Sequence, residues 1–406
     1  MKTYVIIGAG VAGASAAEAL RGEGFDGRVV LVGEETDLPY QRPPLSKELL
    51  RGEVTDDSVL LRTPGFYQSS AIELRLGERV VEIDPRLRRI AFASGARLDY
   101  DKVLVATGGE PRRMLIPSAS LPGVCYLRRR SQAIALRDAL QQHPHVLIVG
   151  AGFIGCEVAA SARQLGCEVT VAAPTPPMAH ALGQSVAGAY AAYHSGHGVK
   201  LKPGATVTEF RGAARLEEAL LSDGSAIPCS LAVVGIGIAP TQGVLSGVET
   251  RDGIVTDEHC RTEIENVFAA GDIACSWRPR LNRRVRLEHF DNAESQGAAA
   301  ARSMCDKLDP YDPIPFFWSD QYEFALQYYG NAASWDDVVL RGNPDDGSFI
   351  AFYMQSGRLE AGCLVNRSRD ASALKRLLGK SGISRTRLAD DDVPLKALIS
   401  TGVRLG

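Results

Sequence analysis

The chain contains no C-x-x-C pair, although it holds eight cysteines, at positions 125, 156, 167, 229, 260, 275, 305 and 363. None stands at zinc spacing from a histidine, so neither a thiol–disulfide couple nor a structural zinc site is written into the sequence. Their apolar surroundings predict small buried hydrophobes in a reducing compartment. Long apolar runs are missing too, and nothing approaches the roughly 18 residues that a membrane helix needs. Neither sign of charge is in excess. A formal net charge of −3 excludes a general attraction to nucleic acid or an anionic membrane. The first predicted strand begins at Tyr4, close behind Met1, which predicts no secretory leader and a cytoplasmic protein. No low-complexity linker interrupts the 406 residues, a length that predicts two or three tightly packed domains.

What is present is a repeated plan. Residues 3–34 read strand, glycine turn, helix, strand, and residues 145–173 read the same way. The strands are continuous runs of Val, Ile and Leu, as a parallel sheet covered on both faces requires. Each turn carries G-x-G-x-x-G, as Gly8, Gly10 and Gly13 and again as Gly150, Gly152 and Gly155. The first glycine permits the tight turn, the second lets backbone approach a pyrophosphate, and the third allows close helix–strand packing. A diphosphate then lies at the positive helix N-terminus. Glu34, just past the second strand of the first unit, supplies a carboxylate for a ribose hydroxyl. The second unit offers Ala172, Ala173 and Pro174 instead, and residues 171–179 carry no charge; His180 is the first titratable group. With Ala173 taken as the discriminating position, weak selection between NADH and NADPH is predicted.

Further on, 230–240 ("SLAVVGIGIAP") reads as one apolar strand, followed by "TEIENVFAAGD" at 262–272. From about residue 315 the texture becomes aromatic and alternating, and 348–365 reads as two strands around a Ser-Gly turn. The predicted class is α/β, with two Rossmann-like dinucleotide-binding domains and a C-terminal α+β domain. The predicted boundaries are 1–113 with 241–318 for the first domain, 114–240 for the second and 319–406 for the third.

"VLVATGG" (103–109) and "NVFAAGD" (266–272) resemble the two further segments that complete a flavin site in two-dinucleotide-binding, glutathione-reductase-like flavoproteins. With "RPPLSK" (42–47), "GAGFIGCE" (150–157), "NAESQG" (292–297) and "FFWSDQY" (316–322), the whole chain resembles a narrower family. These are the NADH-dependent, FAD-containing ferredoxin reductases of bacterial oxygenase systems, of the putidaredoxin reductase and biphenyl dioxygenase reductase type. The resemblance implies FAD in the first unit and NADH in the second. Asp272 would accept hydrogen bonds from the ribityl chain, with Thr107 and Gly108 passing near the same site. Lys47 would lie at the reactive edge of the isoalloxazine and stabilise negative charge on the reduced flavin. Glu157 would face the nicotinamide amide and pair with Lys47. Arg128 would contact FAD, leaving Arg129 and Arg130 at the surface. Phe290 would stand where the family often has Trp beside the flavin. Ala12, Arg42 and Val80 complete the implied FAD set, and Ile154 and Gly237 the implied NAD set.

The same resemblance implies electron transfer from NADH to a 2Fe-2S ferredoxin that feeds a haem-thiolate monooxygenase or a Rieske dioxygenase. Disulfide reductases of this architecture carry a cysteine pair after the first nucleotide unit. This chain has "PPLSKELL" there, so electrons must leave to an external one-electron carrier. A rubredoxin reductase differs only in its docking surface. An apoptosis-inducing-factor type, partly a binding protein, would bring targeting segments and basic surface, and neither is seen. The segment "WRPRLNRRVR" (277–286) sets Arg278, Arg280, Arg283, Arg284 and Arg286 close together, and is the predicted docking rim for an acidic ferredoxin.

Overall fold

The structure, a computed structural model, describes residues 1–241, 243–400 and, for the backbone, 403–404. It divides into two compact units. The first comprises Met1–Arg42, Asp57–Glu110 and Ile238–Pro313; the second comprises Pro43–Asp56, Pro111–Gly237 and the described part of Ile314–Gly406. The predicted division kept residues 43–56 in the first domain and gave 319–406 a domain of its own, whereas this packing joins both to the second unit.

In the first unit a five-stranded sheet runs Val267–Ala269, Lys102–Val105, Thr3–Ile7, Arg28–Gly33, Ile72–Leu76, all parallel. Val5, Ile6, Val30, Leu31, Val103 and Leu104 are fully buried, because the sheet is covered on both faces. The alanine-rich helix Val11–Gly22 lies across the helix Phe290–Met304. A Cβ on Gly297 would stand 2.1 Å from the Ala12 carbonyl oxygen, so only glycine permits that crossing.

The second unit repeats the sheet as Lys200–Pro203, Glu168–Ala173, His145–Val149, Leu231–Val234, Val124–Tyr126, again parallel. The run 230–240 is not one strand. It splits into Leu231–Val234 and Ile238–Pro240, because Gly237 takes φ +93° and turns the chain out of the sheet. The helix Ala179–Gly196 is likewise broken at Gly183 (φ +75°). The C-terminal part is an antiparallel sheet ordered Phe316–Gln321, Phe324–Gly330, Arg358–Val365, Ser348–Gln355, Asp337–Asn343. Helix Ala371–Leu377 packs on it through Leu374, whose side chain fills the space beside Gly362.

Candidate functional site

The two glycine turns are built alike. A Cβ on Gly8 would lie 2.1 Å from the Ala106 carbonyl oxygen, and one on Gly150 would lie 2.3 Å from that of Gly235. A Cβ on Gly13 would lie 1.9 Å from the Gly8 oxygen, and one on Gly155 would lie 2.1 Å from the Gly150 oxygen. Around Gly10 and Gly152, by contrast, nothing stands within 4 Å of such an atom. The outer glycines are thus consumed by packing while the middle one faces open space at a helix N-terminus. Both helices lack acidic residues in the first turn that would compete with an anion. Each turn fits a dinucleotide diphosphate.

Around the first turn the structure gathers most of the implied FAD residues. Thr107 and Gly108 follow the strand Lys102–Val105, and Thr107 Oγ1 is buried with no hydrogen-bond partner among the described residues. A buried hydroxyl in that state fits a site that receives a polar ligand group. Val80 is buried at the start of strand Val80–Asp84, and Phe290 is half-buried at the start of its helix. Glu34 is exposed directly after strand Arg28–Gly33. Its neighbour Glu35 is engaged elsewhere, accepting from Arg42 Nη2 at 2.9 Å and Tyr40 Oη at 2.6 Å. Burial alone would lower the Arg42 pKa, but Tyr40, Glu35 and the Asp272 charge together raise it.

Asp272 sits half-buried in the short turn Gly271–Ile273, and the structure shows what holds that turn. Gln296 Oε1 accepts the Gly271 N–H at 2.9 Å, and Gln296 Nε2 donates to Ser276 Oγ at 2.6 Å. Arg286 donates to the Asp272 carbonyl oxygen at 3.2 Å. In the sequence "NAESQG" carries a family resemblance, and the part Gln296 plays in holding the turn emerges only in the structure. The spacing of Asn292 and Gln296 on one helix face was the available signal for a structural role.

In the second unit the turn brings together Gly150, Gly152, Gly155 and Glu157, with Ile154 exposed in the first helical turn. Gly237 (φ +93°) stands to its strand as Gly108 (φ +67°) stands to Lys102–Val105. Sheet register corrects one position. Ile7 pairs with Val32 and Val149 with Ala172, while the Gly8 and Gly150 N–H groups bond the Val32 and Ala172 oxygens. Glu34 therefore corresponds to Pro174, not Ala173. Ala173 is buried and Pro174 is exposed.

Lys47 and Glu157 form a buried ion pair, Nζ to Oε2 at 2.9 Å, with side chains 6% and 5% exposed. Ser46 Oγ donates to the same oxygen at 2.5 Å, and Ser319 Oγ donates to Oε1 at 2.7 Å. The Lys47 segment is strapped to the second unit: Ser161 Oγ donates to the Ser46 carbonyl at 2.7 Å, and Arg130 and Arg137 bond Asp56 at 2.9 and 3.0 Å. Arg128 also belongs to this unit. It is half-buried, and its backbone N–H donates to Gln132 Oε1 at 2.9 Å, just before helix Arg130–Leu140. Arg129 and Arg130 are half-buried rather than plain surface residues.

The basic rim is smaller than its sequence suggests. Arg278 is 2% exposed, lies 4.1 Å over the Tyr311 ring and bonds Asn292. The Arg286 side chain is 7% exposed and pairs with Asp252 and Glu288 at 3.1 and 2.6 Å. Both arginines are spent inside the fold; Arg280 is exposed beside Asp312, while Arg283 and Arg284 are half-buried and Arg284 donates to the Thr256 carbonyl. All the cysteines are free, and burial pushes the thiols of Cys229 and Cys260 up to about 12. Such thiols hold almost no thiolate, the form that redox exchange requires. Among the described residues no group of three or more His, Cys, Asp or Glu could hold a metal, and no helix is long and apolar enough to cross a membrane.

Two family patterns match this chain: "Pyridine nucleotide-disulphide oxidoreductase" over residues 2–297 and "Reductase C-terminal" over residues 316–399. The chain belongs to the pyridine nucleotide-disulphide oxidoreductase family, in the form that carries this C-terminal domain. It is 38% identical over 403 residues to rhodocoxin reductase of Rhodococcus erythropolis, covering 98% of this chain and 94% of that one. A crystal structure of a ferredoxin reductase from Rhodopseudomonas palustris superposes with a TM-score of 0.92 at 36% identity, covering 98% and 99% of the two chains. The covalent putidaredoxin reductase–putidaredoxin complex is similar as well, with a TM-score of 0.92, 31% identity and 98% of each chain covered. The α/β class with its C-terminal domain is thereby confirmed.

Proposed function

We infer that this protein is an FAD-dependent reductase that oxidises NADH and reduces a 2Fe-2S ferredoxin serving an oxygenase, in the cytoplasm. The observation that carries this reading is the pair of matched glycine cradles in a chain whose buried thiols are unsuited to redox exchange. One cradle takes FAD and the other takes the nicotinamide dinucleotide. When bound, the flavin supplies the conversion of one hydride into two single electrons. The chain's own residues bind and orient. Gly8, Gly10 and Gly13 seat one diphosphate, and Gly150, Gly152 and Gly155 seat the other. Asp272 and Thr107 offer polar atoms to the flavin's ribityl side, and Lys47, fixed by Glu157, brings a positive charge to its reactive edge. No side chain is required as acid, base or nucleophile; positioning supplies the rate.

Three findings support the ferredoxin as acceptor: the whole-length likeness to rhodocoxin reductase, the likeness to a reductase captured with putidaredoxin, and the unsuited thiols. The test is a coupled assay on the yellow holoprotein. NADH-dependent reduction of a 2Fe-2S ferredoxin should far outpace reduction of a rubredoxin at equal concentration. Release of no FAD on denaturation, or preference for rubredoxin, would overturn the reading.

A further inference from the structure

Glu157 is where two distant pieces of chain, Ser46–Lys47 and Ser319, meet a third, and the Ser319 arm serves neither cradle. Its Oε2 is taken by Lys47 and Ser46, and its Oε1 by Ser319. Behind Ser319 the contacts continue inward. Gln321 Nε2 lies 3.1 Å from Ser319 Oγ, and His194 Nε2 lies 2.9 Å from Gln321 Oε1. Ser319, Gln321 and His194 are each at most 1% exposed, so water cannot replace a lost donor.

The direction of every proton in this chain follows from the carboxylate at its end. A carboxylate only accepts, so the Ser319 hydroxyl donates to Glu157. Ser319 Oγ must then accept from the Gln321 amide nitrogen, which turns Gln321 Oε1 toward His194. His194 Nε2 must therefore carry the proton and donate. Its Nδ1 is left as a bare buried nitrogen with no partner among the described residues. Burial lowers the His194 pKa, the Gln321 bond opposes that, and His197 adds to it; a neutral ring is what this arrangement needs. Three donors thus point the same way, and bonds aligned in series polarise one another. Apolar side chains at 194, 319 and 321 would pack as well without the desolvation of three polar groups.

We propose that His194, Gln321 and Ser319 form a positioning chain that fixes the Glu157 carboxylate, and through it the Lys47 ammonium, in one orientation for NADH oxidation. This rests on the reading of Lys47 and Glu157 as the pair that tunes flavin and nicotinamide. Ser319 and Gln321 lie on strand Phe316–Gln321 and His194 lies near the end of helix Ala179–Gly196. The C-terminal sheet thereby takes part in the chemistry of the nicotinamide half.

The experiment compares Ser319→Ala, Gln321→Leu and His194→Leu with the conservative partners Ser319→Thr and His194→Gln, in the FAD-loaded protein. It follows the rate of flavin reduction at saturating NADH, the NADH Kd, the flavin midpoint potential and the melting temperature. Ser319→Ala should slow reduction about tenfold with little change in Kd, the scale of a lost hydrogen bond to a charged group. His194→Leu should act in the same direction more weakly, and Ser319→Thr and His194→Gln should recover to within about twofold of wild type. A fall in melting temperature with wild-type rate and potential in Ser319→Ala would overturn the proposal, leaving the chain merely structural. Lys47→Ala is run beside them. If it too leaves rate and potential unchanged, the underlying reading of the pair has failed; if it slows reduction while Ser319→Ala does not, only the positioning chain has failed. Should His194→Leu not fold, Ser319→Ala and its threonine rescue decide.

Discussion

Gln296 Oε1 accepts the backbone N–H of Gly271 at 2.9 Å, which ties the helix Phe290–Met304 to the turn that presents Asp272. Gln296→Leu keeps the volume and leaves that buried N–H unsatisfied, at a cost of about 1–3 kcal/mol. Asp272→Ala removes the acceptor itself. Both variants should retain FAD at least about tenfold more weakly than wild type. The measurement is the flavin-to-protein ratio after extended dialysis. Undiminished retention in both would show that this turn does not hold the cofactor.

Lys47→Ala leaves the Glu157 carboxylate buried without its counter-charge, and loss of one partner of such a pair costs about 3–5 kcal/mol. Lys47→Met combined with Glu157→Gln should lose much less stability, because no bare charge remains. Chemical denaturation of both FAD-loaded proteins checks the difference. The double variant should still reduce its flavin slowly with NADH, which separates the catalytic role of the pair from its structural one.

Pro174→Glu places a carboxylate at the register equivalent of Glu34. It should raise the ratio of kcat/KM for NADH over NADPH by about tenfold, through ribose hydrogen bonding and repulsion of a 2′-phosphate. Ala173→Glu should instead damage folding, because Ala173 is 4% exposed. An unchanged cofactor ratio in a folded Pro174→Glu protein would place discrimination elsewhere.

Ferredoxin reduction should slow with rising salt while reduction of a neutral dye does not, since only the former is steered by exposed charge. Arg280→Glu should slow the ferredoxin reaction about threefold at low ionic strength and have little effect at 0.5 M salt, about half the Debye length of physiological buffer. Arg278→Ala should behave differently. It removes a buried guanidinium from Asn292 and the Tyr311 ring, so melting temperature should fall at every salt concentration.

The glycine turns were legible in the sequence because their physics is local: six glycines at fixed spacing, the outer ones set against backbone that a Cβ would strike and the middle ones facing open space. The parallel sheets were legible for the same reason, in unbroken runs such as Val29–Val32 and Val146–Val149. What escaped depends on neighbours far along the chain. Whether Arg278 is a docking charge or a core cation is decided by Tyr311 and Asn292, and the period of Arg residues in 277–286 is silent about both. The offset between Ala173 and Pro174 is visible only in the pairing of Val149 with Ala172. Gln321 and His194 are separated by 127 residues, and nothing local marks them as partners.

The chain leaves one unit for the other at residues 42/43, 56/57, 110/111, 237/238 and 313/314. Neither half can therefore be excised as a continuous gene fragment. Residues 111–237 look like a natural cut, since they hold every strand of the nucleotide sheet of their unit. Such a fragment would nonetheless strip Glu157 of Lys47, Ser46 and Ser319 at once, and open to water a helix face made to be dry. Swapping the second unit between relatives would need five junctions kept in register, with the segment 43–56, residues 111–237 and the last 93 residues (314–406) moved as one cassette.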